Sequence, residues 1–154
     1  MTPEAEPTRP RLLPLERLTS ISSLIAEGAA FTGHFQAQVD LGIKIDGKLE
    51  GNVMFAQGGT IHVGVTGVVE NTRLEADYIY IEGRVRGAVI ARKALEITGT
   101  ATLLGDASYD EVMDIHPRAR VRGKLEYRGD MEDAKSATAV GKLVLSPSSY
   151  PQAN

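Results

Sequence analysis

From Ile43 to Phe55 the chain alternates without a break. Ile43, Ile45, Gly47, Leu49, Gly51, Val53 and Phe55 alternate with Lys44, Asp46, Lys48, Glu50, Asn52 and Met54. A period of two places successive side chains on opposite faces of a strand, and the three-and-four spacing of an amphipathic helix is missing. Variants of the phrase fill a stretch from Ile25 to Leu125, as in "IEGRVRGAVIA" from Ile81 to Ala91. Steps of eighteen from Ile25 land on Ile43, Ile61, Ile79, Ile97 and Ile115. Six residues further on, the column reads Phe31, Leu49, Gly67, Val85, Leu103, Val121. The next two columns read Gly33, Gly51, Val69, Gly87, Gly105, Gly123 and Phe35, Val53, Asn71, Val89, Ala107, Leu125.

Strands on a fixed period predict a solenoid, in which each coil stacks on the last and buries what its neighbour cannot bury alone. The expected fold is all-β: a single-domain parallel β-helix of about six 18-residue coils, with position i under position i+18. At a strand spacing of about 4.8 Å, six coils make a rod of roughly 30 Å. The isoleucine column becomes an internal ladder, and the glycine column turns corners at positive φ. The third coil breaks the pattern, because Val69 occupies the glycine column and Arg73 an apolar one. A bulge near Asn71–Thr72, resolved before Ile79, would turn Leu74 and Ala76 inward. Asn tolerates the left-handed conformation that such a bulge needs.

Prolines mark the limits of the domain. Pro3, Pro7, Pro10 and Pro14 crowd the start, Pro147 and Pro151 the end, and Pro117 alone lies between. Proline is excluded from central strands. Residues 1–20 therefore read as a disordered Pro-rich tail, 21–128 as the β-helix domain and 129–154 as a second disordered tail. The junction "RLLPLERLTSISSLIAEG" is apolar at Leu12, Leu13, Leu15, Leu18, Ile21, Leu24 and Ile25. It reads either as a segment contacting a membrane surface or partner, or as a cap over the end of the core. The cap is favoured, because Pro14 interrupts a helix.

Candidate chemistry is sparse. There is no Cys, so disulfides and thiolate metal sites are excluded. His34 and His62 do not fall in one eighteen-residue column, and His34, His62 and His116 read as neutral outward positions. Asp106, Asp110, Glu111 and Asp114 read as a solvated acidic corner. HExxH and the phosphate-binding GxxxxGK[ST] are both absent. No cofactor, metal or catalytic residue is expected. The net charge of −3 gives no reason to expect nucleic acid. Arg84 and Arg86 fall two coils before Arg120 and Arg122 in the same outward columns, with Lys48 two coils earlier. This stripe is a possible contact for anionic lipid or an acidic partner, although Glu50 and Glu82 interrupt it. No long apolar run or leader-like segment is evident, so a cytoplasmic location is the expectation.

The phrases "SSLIAEGAAFTGHF", "IKIDGKLEGNV", "IYIEGRVRGAVIA", "LEITGTATLLGDA" and "MDIHPRARVRGKL", in this order, resemble the bactofilin family over about residues 21–128. The resemblance implies a right-handed parallel β-helix. It also implies a bacterial cytoskeletal scaffold that polymerises without nucleotide, often at the inner membrane, and positions cell-wall or shape-determining partners. It favours filaments in which like ends meet. Physically, the terminal coils of a solenoid carry unpaired backbone groups. Ile25, Phe31 and Phe35 at one end, and Val121, Leu125 and Tyr127 at the other, are the candidate polymerisation interface. Two other readings stay open. Hexapeptide acyltransferases also use eighteen-residue coils, though the unbroken count here leaves no room for a donor-binding loop. A β-helix binding module that does not polymerise is the other.

Overall fold

The computed structural model describes residues 10–129. One short helix, α1 (Leu15–Thr19), precedes twelve strands: β1 (Ser23–Ile25), β2 (Ala30–Ala37), β3 (Gly42–Ile45), β4 (Lys48–Phe55), β5 (Thr60–Val63), β6 (Val68–Ile81), β7 (Arg84–Ile97), β8 (Thr102–Leu104), β9 (Ala107–Tyr109), β10 (Val112–Ile115), β11 (Arg120–Arg122) and β12 (Leu125–Tyr127). Every strand pairing is parallel. The chain is a β-solenoid of about six turns. Three strips of ladder run along it. The first holds β1, β3, β5, the ends of β6 and β7, and β10. The second holds the starts of β2, β4, β6 and β7, then β8 and β11. The third holds the later parts of those long strands, then β9 and β12.

The inward columns form one core. Leu49, Val69 and Leu103 are fully buried, and so are Val53, Leu74 and Val89 in the neighbouring column. Gly51, Gly105 and Gly123 have φ of +133°, +147° and +146°. A Cβ at any of them would run into the carbonyl of the glycine one coil earlier, so the close stacking of coils at this corner requires glycine.

The register departs from a uniform eighteen. Ile43, Ile61 and Ile79 pair as expected. Ile25, however, pairs with Ile45, twenty residues on, and Ile79 with Leu95, only sixteen on. The isoleucines thus occupy two adjacent inward columns, Ile25–Ile45–Val63–Ile81–Ile97–Ile115 and Ile43–Ile61–Ile79–Leu95–Met113. The cause is corner length. The corner after Ile25 holds four residues, whereas that after Ile45 holds only Asp46 and Gly47.

In the third coil, Asn71 takes φ of 49°, and the ladder shifts between Glu50 and Val53. Leu74 and Ala76 point inward as expected. Val69 pairs with Leu49 and Val85, so it belongs to the apolar column, where Gly67 does not. The extra residues are absorbed at the next corner, where Asp77 alone separates Ala76 from Tyr78.

Residues 10–19 differ from the free tail the sequence suggested. They lie along the outside of the first strip as a strap. Leu13 and Leu18 are buried against Tyr80 and Ala94. Residues 1–9 and 130–154, the rest of the two expected tails, lie outside the described residues.

Candidate functional site

The solenoid has two open ends. At one, β1 and β2 pair only with the coil that follows them; at the other, β10, β11 and β12 pair only with the coil that precedes them. Each edge keeps a row of backbone groups that no described residue pairs, the arrangement that templates further strand addition. The six residues expected to form an interface all lie on these terminal coils. Phe31 and Val121 are the first and last members of the column through Leu49, Val69, Val85 and Leu103. Phe35 and Leu125 end the column through Val53, Leu74, Val89 and Ala107.

Interior members of these columns are essentially inaccessible, yet Phe31 is 38% and Leu125 43% exposed. Ile25, Phe35 and Val121 pack on the core from one side only. The Phe35 ring leans on Phe55 at 5.9 Å, and Tyr127 on Tyr109 at 5.5 Å. Leu24 and Val112, 57% and 46% exposed, add apolar area at the two ends. Both stand at outward positions, off the inward columns that the period of eighteen picks out.

The leucines offered as a membrane or partner contact are otherwise engaged. Leu13 and Leu18 are buried in the strap and Leu12 packs beside them; only Leu15 is well exposed, at 54%. The strap also does not cap an end, as the sequence suggested, because it runs along the flank. The backbone N–H groups of Arg11, Leu12 and Leu13 donate to the buried Glu96 carboxylate at 2.6, 2.9 and 3.0 Å. Arg11 also reaches Asp114 at 3.5 Å in the last coil. Further along the strap, Arg17 forks onto Asp40, donates to Thr60 at 3.1 Å and lies over the Tyr78 ring at 4.7 Å. That hydrogen-bonded fork, with the Gly59 N–H, holds the Asp40 carboxyl down at about 2.

Glu96 escaped the sequence reading. Its partners are backbone groups, which carry no sequence signal, and its one hint was an acid inside the apolar run "ALEI".

Nearby, His62 is buried rather than outward. Its Nε2 lies 2.7 Å from Glu82, and its ring meets Tyr80 edge-on at 5.1 Å. Burial, helped by Glu82 and Glu96, pushes the Tyr80 hydroxyl above its ordinary range. His34 is exposed on β2, and the His116 Nδ1 accepts from the Arg118 N–H. Among the described residues, no group of three His, Cys, Asp or Glu side chains could hold a metal. The four acids read as one corner are dispersed: Asp106 accepts from the Lys124 N–H, Asp110 approaches Arg128 and Asp114 approaches Arg11. No described helix is long and apolar enough to cross a membrane.

Arg84 with Arg120, and Arg86 with Arg122, share outward columns of the second strip, two coils apart with Thr102 and Leu104 between them. Lys48 lies two coils earlier in the first of these columns, as expected.

No curated protein and no solved structure matches the chain. The profile of the Bactofilin family, described as polymer-forming cytoskeletal, matches residues 23–126. That stretch begins in β1 and ends in β12, and so takes in every coil of the open-ended solenoid. The chain belongs to the bactofilin family.

Proposed function

We propose that the protein is a cytoskeletal scaffold that polymerises end to end without nucleotide. Its filaments position cell-wall or shape-determining partners at the inner face of the cytoplasmic membrane. One observation carries this reading. The inward columns do not finish at the ends; they stop at apolar residues with one bare side, beside unpaired strand edges. A second copy satisfies both deficits at once, completing the ladder and covering Phe31, Phe35, Val121 and Leu125. Unlike ends would meet as parallel strands in the existing columns, like ends about a two-fold axis. The family is structural, which favours a scaffold over the acyltransferase alternative.

Electron microscopy of the full chain without nucleotide or metal tests the reading. Filaments or sheets are expected, and Val121→Arg or Phe35→Arg should dissolve them. Monomers at every concentration would favour a binding module, and discrete trimers an enzyme of the hexapeptide type.

A further inference from the structure

Ten arginines lie among the described residues, and they divide by place. Arg11, Arg17, Arg73, Arg92 and Arg128 each have a carboxylate within ion-pair distance. Arg84, Arg86, Arg118, Arg120 and Arg122 have none among the described residues, and all five are exposed. These five share one place, the outer surface of the second strip in the last three coils and its adjoining corner. The same surface nearer the other end carries Lys48, Glu50 and Glu70. In a chain of net charge −3, the unpaired guanidinium groups among the described residues are thus concentrated on one half of one side.

The shape of this surface narrows what it can bind. Parallel strands make a broad sheet face without a cleft. Its relief includes two shallow open hollows, one lined by Arg84, Arg86, Thr102 and Leu104 with Glu70 at its edge, the other by Thr100, Thr102, Arg118 and Arg120. No aromatic side chain stands among these residues to stack a base, as single-stranded nucleic acid requires. Guanidinium forks match phosphate oxygens in pairs. Val65, 60% exposed in the 64–67 corner that leads into the same strip, offers an apolar contact.

We propose that this arginine face binds the phosphates of anionic lipid headgroups and lays the rod flat along a membrane. Strong attachment rests on the polymer proposed above, because each added protomer repeats the face and weak contacts multiply along the filament. The buried Leu13 and Leu18 take no part, so attachment is electrostatic and falls as salt is raised.

Flotation on a density gradient tests this, since free filaments sink while vesicles rise. The full chain is mixed with vesicles of phosphatidylcholine alone, or with phosphatidylglycerol added, and its filaments are imaged in parallel. Flotation with the anionic vesicles only is expected. An arginine near an anionic surface is worth roughly a factor of five, so Arg84→Glu with Arg86→Glu should weaken binding about thirtyfold or more. Both residues lie in β7, away from the ends, so that variant keeps its filaments. Leu15→Arg, at the exposed strap leucine, should float like the parent chain. Filaments that stay at the bottom with anionic vesicles overturn the proposal and leave polymerisation standing. Flotation of a chain that forms no filaments overturns polymerisation and supports the lipid site. Equal flotation with neutral vesicles, or loss through Leu15→Arg alone, overturns it in favour of an apolar contact. Capture by immobilised polyglutamate without flotation overturns it in favour of an acidic protein partner.

Discussion

The third and fifth coils and the two terminal coils are built from the same kinds of residue in the same columns. Val69 and Leu103 are sealed, while Phe31 and Val121 in that column keep one side bare. The difference lies not in the side chains but in whether another coil follows. In a solenoid, burial is conferred by the neighbour. In the proposed filament, a terminal residue is a core residue whose partner lies on another copy, and its contribution belongs to assembly rather than to folding.

One substitution made at both places separates these roles. Leu103→Ala should cost about 3 kcal/mol in denaturant unfolding, because a buried leucine leaves a cavity that rigid neighbours cannot fill. Leu125→Ala should cost under about 1 kcal/mol in the dilute protomer, as expected of a partly exposed site. It should nonetheless raise the concentration at which filaments first pellet. Equal losses of stability at both sites would erase the distinction between middle and end.

The strap supplies a contact of a third kind, fastening coils from outside. Glu96→Ala removes the acceptor for three backbone N–H groups and should cost about 2 kcal/mol. Trypsin should then cut faster after Arg17, while filaments persist. A cleavage rate that does not change would mean that the strap is held by Leu13 and Leu18 alone.

The smallest effect concerns acid. Asp40 titrates at about 2 when docked against Arg17, below its ordinary 3.8. A lowered carboxyl stabilises above its ordinary value and loses that contribution as pH falls toward the docked one. Cleavage of the strap by an acid-active protease should therefore rise between about pH 4 and pH 2, and Asp40→Asn should flatten the rise. Because Asp40 is half exposed, the change is modest.

What the sequence revealed, and what it hid, follows from the parity of a strand. A slip of one residue turns every side chain to the other face, so it disturbs the hydrophobic pattern. That is why the bulge at Asn71 was legible, with Arg73 falling where an apolar residue was due. A slip of two leaves the faces unchanged. The twenty-residue step from Ile25 to Ile45 and the sixteen-residue step from Ile79 to Leu95 are both even, and together they restore the mean. A count of eighteen therefore met isoleucine every time while crossing between columns. The ends were legible because columns must stop somewhere. The strap was not: Pro10 and Pro14 signal a tail, and the Glu96 contact uses backbone donors that any residue supplies.

The proposed filament requires coils that continue from one protomer to the next along its axis. Diffraction from aligned filaments, or the power spectrum of their electron images, measures this directly. Continuous stacking predicts a strong reflection near 4.8 Å on the meridian, because every strand then lies across the axis at the spacing of a ladder. A reflection of that spacing on the equator would mean that the rods pack side by side with their ends unused, and would contradict the account.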